Sequence, residues 1–345
     1  MNPYTLTFGK EPNQHISRIK QTNEIINLFQ ENTTQALIIT GVRGSGKTVL
    51  MTEVAKRLAD EDWVTIELNS STDMLKSLGA KLLSKQRTLF SNINIAFSVF
   101  NVEIGTKENQ IIDIEVAIST LLKALNKHNK KLLITVDEVT NTEYMRQFSS
   151  AFQIFLREDA PIYLLMTGLF ENIRELQNEK SLTFLYRAPR LEIEPLNNTA
   201  IINNYKNVLG VSEDYAKEMA SLTKGYSYAF QVLGHLVYKN GDLTEDVICL
   251  YRQYLEEYVY EKIWHELSKK DQQIALGIAK SETGNSAEIQ KMLDLPLYGI
   301  NPYRKRLIDR GIIDGNTRGY LKFTLPLFKE FVIDREDIFY STDKT

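Results

Sequence analysis

The sequence predicts an α/β fold in which a parallel, doubly wound sheet is followed by an all-helical segment and a C-terminal winged helix. Two observations carry the sheet. Four short β-branched or apolar runs, at 36–40, 63–68, 131–136 and 162–167, alternate with stretches of helical periodicity, and that alternation builds parallel sheets. The first run leads into Gly41-Val42-Arg43-Gly44-Ser45-Gly46-Lys47-Thr48 and then a helix-like stretch over 49–59. This is the strand–loop–helix order in which a GxxxxGK[ST] loop cradles phosphates.

The loop's residue types fit that chemistry. Gly41, Gly44 and Gly46 let the backbone curl so that successive N–H groups point inward at a phosphate. The helix opening near Gly46 adds the positive end of its dipole. Lys47 is spaced to reach the β- and γ-phosphates of ATP, and the Thr48 hydroxyl to ligate Mg²⁺. Val42, Arg43, Ser45 and Val49 complete the cradle and its run into the helix. The whole predicts a P-loop NTPase core with ATP and Mg²⁺ as its cofactors. A second motif supports it: the apolar run at 132–136 ends in Asp137-Glu138. An aspartate at such a strand end holds Mg²⁺, and Glu138 is placed to polarise an attacking water. That order predicts hydrolysis rather than binding alone.

The remaining elements follow along the chain. A fifth run at 190–193 ends at Glu194-Pro195 and closes the sheet. Residues 92–105 alternate Ile93, Ile95, Phe97 and Val99 with polar or small neighbours, which predicts an inserted β-hairpin. After Pro195 the periodicity is helical at 198–209, 212–223 and 227–239, each starting near Asn or Ser. A third block contains a tyrosine- and leucine-rich helix from about Glu245, further helices at 268–280, 286–293 and 297–310, and an alternating tail at 311–327. Helix, turn, helix and a hairpin around Gly315-Asn316 is the order of a winged helix. The expected domains are 1–195, holding the hairpin near 92–105, then a helical lid at 196–244 and the winged helix at 245–340.

Composition excludes several classes. The 345 residues are 43% hydrophobic and 25% charged with a formal net charge of −3, so no global field draws the chain onto nucleic acid or an anionic membrane. Contact with DNA must come from a local patch. Cys249 is the single cysteine, which excludes an intramolecular disulfide framework or a cysteine metal cluster. No leader-like segment and no apolar run of spanning length is evident, which predicts a cytoplasmic protein without a membrane partner.

These motifs resemble the AAA+ superfamily, and within it the origin-recognition-like ATPases. Ile16-Ser17-Arg18 resembles the family's box that flanks adenine, with Ser17 in place of its glycine, so the resemblance assigns Ile16 to the nucleotide. Thr167 falls where the family carries a polar residue that orients the lytic water or contacts the γ-phosphate. Arg187, or less closely Arg190, falls where the family often carries a finger acting on a neighbouring subunit's ATP. Such a finger implies a homo-oligomer in the ATP state. Tyr228 stands where many members have a lid arginine. The C-terminal block resembles the winged helix of the same group. Its segment from Tyr303 to Lys322 holds six basic residues against two acids. Arg304 and Lys305 are expected on the open helix face and Arg318 on the wing tip. That arrangement suits phosphates of double-stranded DNA, while winged helices also dock protein partners.

Overall fold

The computed structural model describes residues 2–7, 12–86, 90, 113–179, 183–296 and 299–336. The hairpin expected near 92–105 lies outside them. The chain forms two compact units, Ile19–Thr40 with Lys47–Ile193, and Met1–Arg18 with Gly41–Gly46 and Glu194–Thr345.

The unit built on Ile19–Thr40 and Lys47–Ile193 is a five-stranded parallel sheet in the order β2-β3-β4-β1-β5. Its strands are β1 (Ala36–Thr40), β2 (Val64–Leu68), β3 (Leu132–Val136), β4 (Ile162–Gly168) and β5 (Arg190–Glu192), within a residue or two of the runs read from sequence. Helices α1 (Ile19–Gln30), α2 (Lys47–Asp60), α3 (Met74–Lys85), α4 (Ile114–Lys127), α5 (Glu143–Arg157), α6 (Phe170–Gln177) and α7 (Thr183–Arg187) belong to the same unit.

Strand side chains alternate between two cores, as a period of two requires. Ile38, Ile134, Leu164 and Met166 pack with the apolar stripes of α3, α4 and α5. Leu37, Ile39, Leu133 and Leu165 pack with Ile25, Phe29, Leu50 and Val54 from α1 and α2. A sheet covered on both faces needs continuous apolar strands, and every residue of β1, β3 and β4 is buried.

The other unit is helical around one core that includes Tyr205, Phe230, Tyr251, Tyr260, Phe328 and Phe331. Its helices are α8 (Asn198–Leu209), α9 (Glu213–Thr223), α10 (Ser227–Asn240), α11 (Glu245–Leu255), α12 (Glu261–Glu266), α13 (Lys269–Lys280), α14 (Ser286–Met292), α15 (Asn301–Asp309) and α16 (Phe328–Asp334), with one π-helical turn, Glu256–Tyr260, joining α11 to α12. Side-chain caps start most of them: Asn197 accepts from Ala200 N–H, Ser212 from Tyr215 N–H and Thr244 from Val247 N–H.

The alternating tail at 311–327 forms a narrow crossing rather than long strands. Ile313 bridges Phe323, Asp314 N–H donates to the Lys322 carbonyl at 2.8 Å, and Thr324 N–H donates to the Ile312 carbonyl at 3.0 Å. Helix α16 then returns Phe328, Phe331 and Val332 to the core, an i, i+3, i+4 pattern. No helix among the described residues is long and apolar enough to cross a membrane.

Candidate nucleotide site

Sheet order explains why residues far apart in sequence meet. In a parallel sheet all strands end on one edge, and β3, β4 and β1 are neighbours, with strands about 4.8 Å apart. Val136 is in register with Met166, and Ile39 with Thr167. The chain therefore delivers Asp137, Thr167 and the end of β1, from which the 41–48 loop departs, to the same edge.

At that edge the Asp137 carboxylate is held from two sides. Thr48 Oγ1 donates to Asp137 Oδ2 at 2.8 Å, and the fully buried Thr167 donates its hydroxyl to Asp137 Oδ1. Glu138 N–H lies 3.1 Å from both Asp137 Oδ1 and Thr167 Oγ1. Glu138 has φ of +47°, a backbone region that non-glycine residues rarely occupy and that clusters at functional sites. The turn thereby leaves the Glu138 side chain exposed while its neighbour Asp137 is bonded.

Lys47 opens α2 and is only 8% exposed, and Thr48 and Val49 follow it, half-buried, in the first turn. In the preceding loop Gly44 and Gly46 have φ of +73° and +93°, values that favour glycine. A Cβ on Gly44 would come within 2.4 Å of the Tyr226 hydroxyl oxygen. Tyr226 donates that hydroxyl to the Arg43 carbonyl at 2.6 Å, and Ser227 Oγ donates to the Ser45 carbonyl at 2.7 Å. Arg18 Nη2 reaches the same Ser45 carbonyl at 2.8 Å and Ser227 Oγ at 3.0 Å. Tyr228 N–H donates to the Gly44 carbonyl at 3.1 Å. Burial holds the Tyr226 phenol well above its usual pKa, so it stays a donor. Ile16, half-buried, packs against the core of the helical unit.

The residues fit a triphosphate with a hard cation. The glycine conformations that turn N–H groups inward are present, a nearly buried lysine follows, and a hydroxyl and a carboxylate oxygen converge within hydrogen-bond distance. Oxygen donors of this kind suit Mg²⁺, which keeps much of its shell for water and phosphate.

The sequence alone does not reveal Arg18, Tyr226 or Ser227 as partners of the loop. Their motif position is visible, but contacts spanning 209 residues for Arg18 to Ser227 have no local signature.

Arg187 stands elsewhere. It ends α7 just before β5, exposed, and with Thr34, Gln35, Ala36, Gln153 and Leu156 it lines a cavity of about 300 Å³. Those residues mark the end of the sheet where β1 starts, opposite the edge that carries Asp137 and Thr167. Arg187 is therefore not brought to Asp137 of its own chain. Arg190 places its guanidinium 5.6 Å from the Phe170 ring centroid.

The basic C-terminal segment divides. Lys305 and Arg318 are exposed and Arg304 is half-exposed, with Nη2 3.5 Å from the Gly315 carbonyl. Arg306 instead makes a two-pronged contact to Asp271, Nε and Nη2 lying 3.1 and 2.9 Å from Oδ1. Asp271 is 1% exposed. Arg310 Nη1 donates to the Glu266 carbonyl at 3.0 Å.

Residues 16–184 match the family described as an ATPase domain predominantly from Archaea. Residues 257–332 match a domain of unknown function, DUF8462. No curated protein matches the sequence. Among solved structures, the Walker-type ATPase PABY2304 of Pyrococcus abyssi is similar at 14% identity and a TM-score of 0.64, with 92% of this chain and 96% of that one covered. The ORC2 protein of Aeropyrum pernix, in its ADPNP–ADP complexes, is similar at 12% identity and a TM-score of 0.58, with 99% and 98% covered. Residues 16–184, just under half of the chain, thus match the archaeal-type ATPase domains, and the chain has a P-loop NTPase fold like that of these two solved structures.

Proposed function

We propose that the chain binds ATP with Mg²⁺ on the 41–48 loop, hydrolyses it slowly, and uses the two nucleotide states as a switch for association with DNA. The observation that carries the hydrolytic part is the Asp137 carboxylate held between Thr48 and Thr167, with Glu138 exposed beside it. Lys47 and the loop N–H groups hold the phosphates, and Ile16 flanks the base. Thr48 and Asp137 hold Mg²⁺, which when bound neutralises charge on the phosphates. Thr167 fixes the Asp137–Glu138 turn, and Glu138 takes the proton of the attacking water. Arg187 lies at the other end of the sheet from its own Asp137, and its guanidinium serves a neighbouring subunit in an ATP-state homo-oligomer.

The C-terminal helices and the 311–327 crossing act as a winged helix that meets duplex DNA through Arg304, Lys305 and Arg318. With Arg306 and Arg310 committed to intramolecular contacts, that surface is smaller than the sequence suggests. This favours a second reading in which the same face docks a protein partner and ATP state gates the docking. Calorimetric titration of ATP with Mg²⁺ tests the shared basis of both. Wild type binds, and Lys47→Ala, which lacks the charge the phosphates need, does not; equal affinity of the two would remove the loop from the site.

A further inference from the structure

A phosphate loop that turns its N–H groups inward turns its carbonyls outward, and buried carbonyls need donors. Here three successive carbonyls are each met by one of three consecutive residues at the start of α10. Tyr226 hydroxyl donates to Arg43, Tyr228 N–H to Gly44 and Ser227 hydroxyl to Ser45. Arg18 adds a second donor to Ser45 and is itself anchored on the Glu194 carbonyl at 3.1 Å. The relation also runs the other way. Helix α10 begins without a side-chain cap, and its early N–H groups need acceptors. The Gly44 carbonyl supplies one, so the phosphate loop caps the helix that braces it.

We infer that Tyr226 and Ser227 are positioning residues for nucleotide: they preset the backbone conformation of the loop at Arg43–Ser45 and so set how long a triphosphate stays bound. The inference rests on the proposed ATP site. Both hydroxyls donate to carbonyls of the loop, so their protons are committed to the backbone rather than to a phosphate. Their effect is to remove the ordering that binding would otherwise require, which is how preorganisation raises affinity. It enters the dissociation rate, where most affinity differences between related complexes lie.

Tyr226→Phe and Ser227→Ala, made in the full chain, test this with a fluorescent ATP analogue and Mg²⁺ in a stopped-flow instrument. Tyr205→Phe is the control. Its hydroxyl donates to the Phe230 carbonyl at 2.9 Å inside the same helical core without touching the loop. Thermal unfolding without nucleotide is recorded for all. Each loop variant should bind about 2- to 12-fold more weakly, the range for removing one hydrogen bond, mainly through faster dissociation. Ser227→Thr, which keeps the hydroxyl, should restore affinity. Tyr205→Phe should lower the unfolding temperature and leave affinity at the wild-type value. Affinity in both Tyr226→Phe and Ser227→Ala equal to wild type would overturn the inference while leaving the ATP site standing. A wild-type protein that binds no nucleotide would overturn the site itself.

Discussion

Thr48 and Asp137 are joined by a hydrogen bond of 2.8 Å between the threonine hydroxyl and a carboxylate oxygen, though 89 residues separate them. One lies in the first turn of the helix that follows the phosphate loop and the other directly follows β3. Their meeting follows from strand order: β1 and β3 flank β4 in a parallel sheet, so the segments that leave all three emerge on one edge. With Thr167 on the other carboxylate oxygen, both oxygens of Asp137 are held, and Glu138 N–H bonds to Asp137 and Thr167 at the turn that follows.

Thr167 is the member of this group whose role is most separable. Thr167→Val replaces its hydroxyl with a methyl of similar volume, removing a donor to Asp137 and an acceptor for Glu138 N–H. Hydrogen bonds to charged groups contribute about 1.5–3 kcal/mol, so turnover should fall by roughly 10- to 100-fold with ATP affinity little changed. Thr167→Ser should recover most of the rate. Steady-state phosphate release measures both, and an undiminished rate in the valine variant would remove the hydroxyl from the mechanism.

Arg187 lies at the opposite end of the sheet from Asp137, so the finger proposed here is one that acts in trans. Arg187→Ala should lower hydrolysis and leave ATP binding intact. Mixed with Lys47→Ala protein, it should regain activity, because a complete site forms wherever an intact loop meets an intact arginine. Absence of rescue at every mixing ratio, or a monomer in light scattering with ATP bound, would exclude the finger role.

The basic residues of the C-terminal segment should separate by experiment as they do by contact. Replacing Arg304, Lys305 and Arg318 together by alanine should weaken binding to duplex DNA and flatten its salt dependence by about 0.9 for each phosphate that is no longer neutralised. Each surface change should alter stability by no more than about 0.5 kcal/mol. Arg306→Ala should instead destabilise by about 3 kcal/mol. It removes the cation from the buried Asp271 carboxylate, and the penalty falls at the low end of the range for broken buried pairs because Arg306 is itself 33% exposed and the Ser268 hydroxyl still donates to Asp271 Oδ2. Fluorescence titration at several salt concentrations and urea unfolding read the two effects. A wild type that binds no DNA at low salt with ATP present would leave the protein-docking reading.

What can be read from sequence follows from how local each signal is. Strands β1, β3 and β4 are buried on both faces, so they must be short apolar runs, and 36–40 and 132–136 stand out for that reason. The loop and Asp137-Glu138 are legible because their chemistry fixes residue types at close spacing. Arg306 looks like surface charge because its partner Asp271 is 35 positions away on a different helix. Tyr226 and Ser227 resemble ordinary lid residues, since nothing near them in sequence reveals that they meet carbonyls of the loop. Helix α16 carries an apolar i, i+3, i+4 pattern at Phe328, Phe331 and Val332 that the preceding alternation at 311–327 obscures.

If the acids that follow β3 drive hydrolysis of ATP held on the 41–48 loop, Glu138→Gln is the decisive variant. The substitution keeps size and shape and removes only the base. Binding of ATP with Mg²⁺ and its single-turnover hydrolysis should be measured on the same preparation. Affinity should stay at the wild-type value while the rate falls by roughly 10²–10⁴-fold, the usual worth of general-base assistance; an unchanged rate in the glutamine variant would rule out Glu138 as the base.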